Sequence, residues 1–480
     1  MSEELTRFAI ERGLAMGAEY SEARIHRNVD EMAILRNGIP EPSIIMDVKG
    51  IGIRIICNGS MAFAATNSMT RDSIRDLVDR AVKRAKNASI ILKKQIKFSD
   101  EKVSKKRWGV DEKKRLDDVD IPEFIKILKE LDTLVKHGKK DVEFPNRLFF
   151  LKKMIEEKRY MNSDGANLES RVPRMQFYSI LAAKYNGNNT TITIPSGYAQ
   201  LGESGGYEVL DRFDIFNYVP KTADDMTDAI KAEKKPPEAN LDVILGPDVS
   251  GLVSHESSGH PGEADRILGR EAAQAGESYL KIGDVGKRIG GDEANVSDDP
   301  SLPGSMGYYL YDDEGIEARK RKLIDSGVIS ELLLNRETAM EMSTTSNASA
   351  RTVEYDREPI IRMANTFIEP GDYSFEELIE DVKLGVYIKS FMEWNIDDKR
   401  LNQRYVGMQA YLIENGLLKD AIKDPVLEIT TPRFWSSIDA RGNDLSFTAA
   451  TCGKGDPMQG APVWTGGPHV RLRNVRIGSR

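Results

Sequence analysis

Cysteine is nearly missing from this chain, with two residues in 480. That argues against a disulfide framework and fits a reducing cytoplasm. Long apolar runs are missing too. No segment approaches the roughly 18 consecutive apolar residues of a membrane-spanning helix. The opening Met1-Ser2-Glu3-Glu4-Leu5-Thr6-Arg7 lacks the apolar core of a secretory signal. Nor is there an excess of basic charge: 76 acidic against 68 basic residues leave a net charge of −8, which disfavours a nucleic-acid partner. Runs such as Lys105-Lys106-Arg107 and Arg319-Lys320-Arg321-Lys322 read as solvated faces. Gly283-Asp284-Val285-Gly286-Lys287-Arg288 has neither the spacing nor the following Ser/Thr of a phosphate loop. A hydrophobic share of 40% beside 30% charge describes a soluble globular protein, long enough for two or three domains.

Histidine is scarce as well, with five in the chain, yet two of them share one six-residue stretch with a carboxylate: His255-Glu256-Ser257-Ser258-Gly259-His260. Neutral imidazole is a common metal ligand, and a carboxylate beside a ligand can take a proton from a water on the metal. The zinc-peptidase signature H-E-x-x-H sets its histidines at i and i+4 on one helix face. Here they stand at i and i+5, roughly 140° apart on an ideal helix and too far for one ion. One π-type turn would bring them to roughly 40°. Gly259 is the residue most able to loosen the backbone there. Alternatively the helix ends near Gly259 and His260 returns on the next turn, or the pair holds no metal.

Cys452 offers a third ligand. It lies in the turn-rich Thr451-Cys452-Gly453-Lys454-Gly455-Asp456-Pro457, where Lys454 would favour the thiolate. Two His and one Cys would leave a fourth zinc position open, as in a catalytic site. Cys57 precedes the hairpin signal Asn58-Gly59 and reads as a small core residue. His26 and His137 read as a strand residue and a helix-end residue without companions. His469, in Gly466-Gly467-Pro468-His469, reads as a hydrogen-bonded turn residue, with a pocket-lining role as the alternative.

The patterning predicts an α+β fold. Residues 1–232 read as an α+β domain, with helices covering a mostly antiparallel sheet. Thr70 caps one helix, whose apolar face is Ile74, Leu77, Val78, Ala81 and Ala85. A charged connector spans 100–118, and 213–232 reads as one helix. The Pro-rich stretch 233–240 is the linker. Residues 241–480 read as a β-rich domain, for which a barrel is one arrangement, carrying the helix of His255. Asp248 or Ser250 would cap that helix, one other helix spans 375–384, and Gly290-Gly291 reads as a mobile loop.

The stretch His255 to His260 with Pro261-Gly262-Glu263 resembles the H-E-x-x-x-H segment of the TldD/PmbA family of metallopeptidases. Further similarities follow in order: Tyr311-Asp312-Asp313-Glu314-Gly315, Leu323-Ile324-Asp325-Ser326-Gly327-Val328-Ile329, Pro359-Ile360-Ile361-Arg362-Met363-Ala364-Asn365-Thr366, Tyr411-Leu412-Ile413-Glu414-Asn415-Gly416 and Cys452-Gly453-Lys454. Upstream, Gly50-Ile51-Gly52-Ile53-Arg54 and Asn162-Ser163-Asp164-Gly165 match too, so nearly the whole chain is covered. The chain departs from the family at Ser257 and Ser258, in 458–464 and at His469, which bears on pocket shape and specificity.

The resemblance implies the metal-bearing TldD type rather than the motif-lacking TldE/PmbA type. It implies His255, His260 and Cys452 as metal ligands, zinc first and iron as the alternative, with Glu256 as the catalytic carboxylate. It also implies cleavage of unstructured peptides or short proteins by a homodimer, or by a heterodimer with a TldE/PmbA-type paralogue. Glu263 is a candidate to orient a ligand histidine, and the substitute ligand should Cys452 lie too far away. The competing expectation is a non-catalytic regulatory or binding subunit with a structural metal or none; the intact Glu256 argues against it.

Overall fold

The computed structural model describes residues 2–136, 141–271 and 276–480. His137 lies outside them. Turn chemistry organises the strands. Asn37-Gly38, Asn58-Gly59, Asn186-Gly187, Ser326-Gly327 and Asn415-Gly416 each place two successive residues at positive φ, between 47° and 81°. That is the backbone a tight hairpin needs, and Asn-Gly adopts it at least cost.

The first sheet runs in the order Ser60–Thr66, Ile44–Cys57, Tyr20–Arg36, Glu143–Asn162, Asn167–Tyr185 and Lys105–Gly109, with three short strands paired alongside. It is antiparallel except where Lys105–Gly109 joins Asn167–Tyr185 in parallel. The charged connector therefore donates an edge strand. Its Lys105, Lys106 and Arg107 side chains stay exposed while only the backbone is used. Glu3–Ala15 and Arg71–Ser89 bury Ile10, Leu77 and Ala81 with Ile25 and Ile53 of the sheet. Ile121–Lys136 and Ile215–Lys231 bury Phe124, Leu131 and Val219 with Phe149 and Phe177. Thr70 does cap Arg71–Ser89, accepting the Ser73 N–H at 3.2 Å. The helix expected over 213–232 is broken at Asp214, whose left-handed φ of 44° separates Val209–Phe213 from Ile215–Lys231.

The C-terminal region holds two larger sheets and a two-stranded one, Ala350–Arg351 with Ile360–Ile361. One curls into a half-barrel in the order Phe391–Ile396, Asn402–Gly407, Pro425–Thr430, Val470–Ser479, Ala239–Leu245, Leu384–Ile388, Ala410–Glu414 and Leu417–Ala421. The other runs Val328–Ile329, Arg321–Asp325, Val296–Asp298, Asn365–Ile368, Gln459–Gly467 and Ser446–Lys454. The helix expected over 375–384 stops at Ile379, because Leu384 already begins a strand. Short helices went unread: Ala264–Ile267, and Arg336–Glu341 and Thr431–Ser437, the latter two started by the side-chain caps of Asn335 and Thr430. Gly290-Gly291 is anchored rather than loose: Gly291 N–H donates to Trp435 O, and Gly290 N–H to Gly327 O.

Buried charge ties the two regions together. Arg54, 2% exposed, donates to Glu22 Oε1 and Oε2 at 3.0 and 3.1 Å and to Glu314 Oε1 at 2.8 Å. Glu314 Oε2 accepts the Arg336 N–H at 2.7 Å. On the same strand Gly50 and Gly52 make room for Tyr355; an added Cβ would lie 2.3 Å from its ring or 2.4 Å from its carbonyl oxygen.

Candidate metal centre

The site is built on the helix that follows Ala239–Leu245, a strand held between Val470–Ser479 and Leu384–Ile388. Pro247 opens that helix, Pro247–Ser254, with its φ already set for the first turn. The expected side-chain cap is absent. Gly246 is the N-cap, Asp248 instead accepts from Ser196 Oγ at 2.7 Å, and Ser250 Oγ donates to Pro468 O at 2.7 Å. The helix packs so tightly on the second sheet that a Cβ on Gly251 would lie 3.1 Å from Gly466 N.

After Ser254 the helix widens into a π-turn over His255–Gly259 and then tightens into a 3-10 turn over His260–Gly262. This supplies the extra residue that the i, i+5 spacing requires. The two imidazoles come together, their ring centroids 4.9 Å apart and their planes at 80°. Gly259 has φ −60° and ψ −65°, open to any residue, so the distortion does not draw on glycine's backbone freedom.

Cys452 arrives from Ser446–Lys454, where it pairs with Ala461 of Gln459–Gly467. It lies in a strand rather than in a turn, and is 7% exposed. Its Sγ stands 3.3 Å from His255 Nε2 and 3.3 Å from His260 Nε2. The three donor atoms fall within 4.8 Å of one another. Zn–S of about 2.3 Å and Zn–N of about 2.0–2.1 Å in a tetrahedron separate sulfur from nitrogen by roughly 3.5 Å, so the donor set fits a zinc ion in type and in its sulfur–nitrogen spacing.

The surroundings orient these donors. Glu263 Oε2 lies 2.9 Å from His260 Nδ1 and accepts from Arg266 Nε at 2.5 Å, which turns His260 Nε2 toward the sulfur. Lys454 does not serve the thiolate as expected. Its Nζ donates to both oxygens of Asp265 at 2.7 and 2.8 Å and lies 3.4 Å from Glu263. Burial pushes the Cys452 thiol up, but the charges of His260, His255 and Arg362 outweigh it and hold the group well below its ordinary value. Burial also pushes the Glu263 carboxyl up, and Lys454, Arg266 and His260 together hold it well below. Burial lowers His255, and the facing Cys452, with Glu256 and Glu263, brings it above its usual value. His255 Nδ1 is buried without a hydrogen-bond partner.

Glu256, 5% exposed, is held through Oε2 by the Arg400 guanidinium, a partner that sequence reading missed. Ser257 Oγ donates to Gln403 Oε1 at 2.6 Å, which also accepts from Tyr405 OH at 2.7 Å. The other two described histidines stand elsewhere. His26 lies in Tyr20–Arg36, its Nε2 3.1 Å from Asn28 Oδ1. His469 is bonded to Asp444 through Nδ1 and to Tyr387 OH through Nε2 at 2.9 Å. Cys57 is fully buried among apolar side chains.

No helix among the described residues is long and apolar enough to cross a membrane. The PmbA/TldA metallopeptidase domain 1, central domain and C-terminal domain match residues 21–85, 114–230 and 238–479. A metalloprotease of Methanocaldococcus jannaschii is 30% identical over 96% of this chain and 97% of its own length. A zinc metalloprotease TldD homolog of Saccharolobus solfataricus is 26% identical over 98% of both chains. The crystal structure of TldE from Thermococcus kodakarensis shares the fold, with a TM-score of 0.77 at 18% identity over 99% of this chain and 100% of that one. This chain belongs to the PmbA/TldD metallopeptidase family.

Proposed function

We propose that this chain is a metal-dependent peptidase of the TldD type, with His255, His260 and Cys452 as ligands and Glu256 as general base. The observation that carries the reading is the convergence of two imidazole nitrogens and one sulfur around a single point, beside a buried carboxylate. Zinc, with iron as the alternative, would polarise a scissile carbonyl and acidify a water molecule there. Glu256 would accept that proton and pass it to the leaving amine. Glu263 would keep His260 in the tautomer that presents Nε2.

The substrate on this reading is an unstructured peptide or short protein. Ser446–Lys454 is an edge strand: Ala449 exchanges hydrogen bonds with Gln200, while the neighbouring Thr451 and Gly453 are exposed on either side of Cys452. An extended backbone could add to that edge with little regard for its side chains. The working assembly would be a homodimer or a heterodimer with a TldE/PmbA-type paralogue. Two free, buried cysteines suit a reducing cytoplasm.

The test is metal analysis with cleavage of an unfolded peptide, the partner subunit supplied. On this reading E256A retains metal and fold and loses cleavage; full activity in E256A refutes the assigned base. The second reading, a non-catalytic subunit, is favoured by one observation: His255, Glu256, His260 and Cys452 are all buried in the single chain. Metal without turnover on any unfolded peptide would support it.

A further inference from the structure

We infer that Arg400 is the positioning residue for Glu256; the inference rests on the peptidase reading for its chemistry, though not for its geometry. Two observations carry it. First, Arg400 is itself 7% exposed, and its guanidinium reaches Glu256 Oε2 inside the protein. An ion pair out of water is held far more firmly than a surface pair and leaves the carboxylate little freedom to change rotamer. With Oε2 occupied, Oε1 is the oxygen left to take and return a proton.

Second, the backbone that delivers Arg400 is strained and clamped. Its φ is 63°, in the left-handed region that a residue with a large side chain adopts only at a cost. The turn is fixed on both sides. Arg400 N–H donates to Asp397 O at 2.9 Å, Thr431 Oγ1 donates to Arg400 O at 2.7 Å, and Asp397 accepts from the N–H of Leu401 at 2.7 Å and of Asn402 at 3.1 Å. A buried ion pair delivered by a strained, clamped turn marks a guanidinium placed for the carboxylate it holds.

The experiment compares wild type, R400Q and R400K, each metal-loaded and with the partner subunit supplied. Metal content, kcat and KM on an unfolded peptide are measured, together with crystal structures of the zinc-loaded wild type and R400Q. A misplaced catalytic group costs about 100-fold in rate. R400Q is therefore expected to keep its zinc and a KM within about two-fold while kcat falls about 100-fold, with Glu256 in a different rotamer. R400K keeps the buried charge but not the planar fork; it should fold even if R400Q does not, and lose about ten-fold in kcat. Guanidinium added to R400Q should restore part of the lost kcat. Unchanged kcat in both variants, or an unmoved Glu256 in R400Q, overturns the inference. Should wild type hold zinc and cleave nothing while Glu256 still moves in R400Q, the positioning role stands and the peptidase reading falls.

Discussion

Gly259 is pressed against Met363: a Cβ on the glycine would lie 1.9 Å from the methionine Sδ. Met363 is 1% exposed and belongs to the core, so its thioether could shift only within a filled interior. Gly259 thus serves the π-turn through close packing, not through backbone freedom. G259A should destabilise the fold by about 1–3 kcal/mol, the usual cost of overpacking. Because the residue sits between His255 and His260, zinc per chain should fall with it. Urea midpoints and metal analysis of G259A check both effects; a variant with wild-type stability and zinc content would contradict the packing argument.

Glu263 is placed to hold His260 through Nδ1. Loss of such a partner weakens metal binding by roughly 10–100-fold. E263Q, which keeps the side-chain volume beside Arg266 and Lys454, should raise the zinc dissociation constant by that factor in competition with a chelator. An unchanged constant would mean that Glu263 serves the Arg266 and Lys454 charges alone.

The ion cluster of Arg54, Glu22 and Glu314 joins regions 260 residues apart in sequence. Removing one member of a buried pair leaves the other uncompensated, at about 3–5 kcal/mol. R54A should therefore lose that much unfolding free energy, measured by urea denaturation. R54M, which removes the charge but fills the volume, should retain more stability if E22Q is introduced with it.

Glu369 carries an acid-stability signature. Burial pushes its carboxyl up, but hydrogen bonds from Lys320, Lys322 and Ser297 bring it down to about 2 from an ordinary 4.5. A carboxylate whose folded value is depressed stabilises the fold above the unfolded value and loses that contribution as pH falls through the folded one. E369Q should therefore be less stable than wild type at pH 7, and the gap should close between pH 4.5 and pH 2. Melting temperatures across that range measure it; a gap that is constant or widens in acid refutes it.

Much of this was legible in the chain itself. The Asn-Gly and Ser-Gly turns and the need for a π-turn follow from residue types and spacing, because positive φ and helical angle are local properties. What stayed hidden depends on distant chain segments. Arg400 meets Glu256 across 144 residues, and its turn, Asp397-Asp398-Lys399-Arg400, looks like any solvated charged loop until the half-barrel curls over the site. Lys454 is two residues from the thiol in sequence, yet Asp265 and Glu263 are its partners in space. The caps expected of Asp248 and Ser250 were lost to Ser196 and to Pro468, which no local rule foresees. Lys105–Gly109 joined the sheet because an edge strand spends only its backbone.

X-ray absorption at the zinc edge, on the zinc-loaded chain and on C452A, tests the ligand set most directly. The account expects one zinc per chain with one sulfur neighbour at about 2.3 Å and nitrogen or oxygen neighbours at about 2.0–2.1 Å, the sulfur shell vanishing in C452A. A first shell without sulfur, or one identical in C452A, would contradict the placement of His255, His260 and Cys452 on one ion.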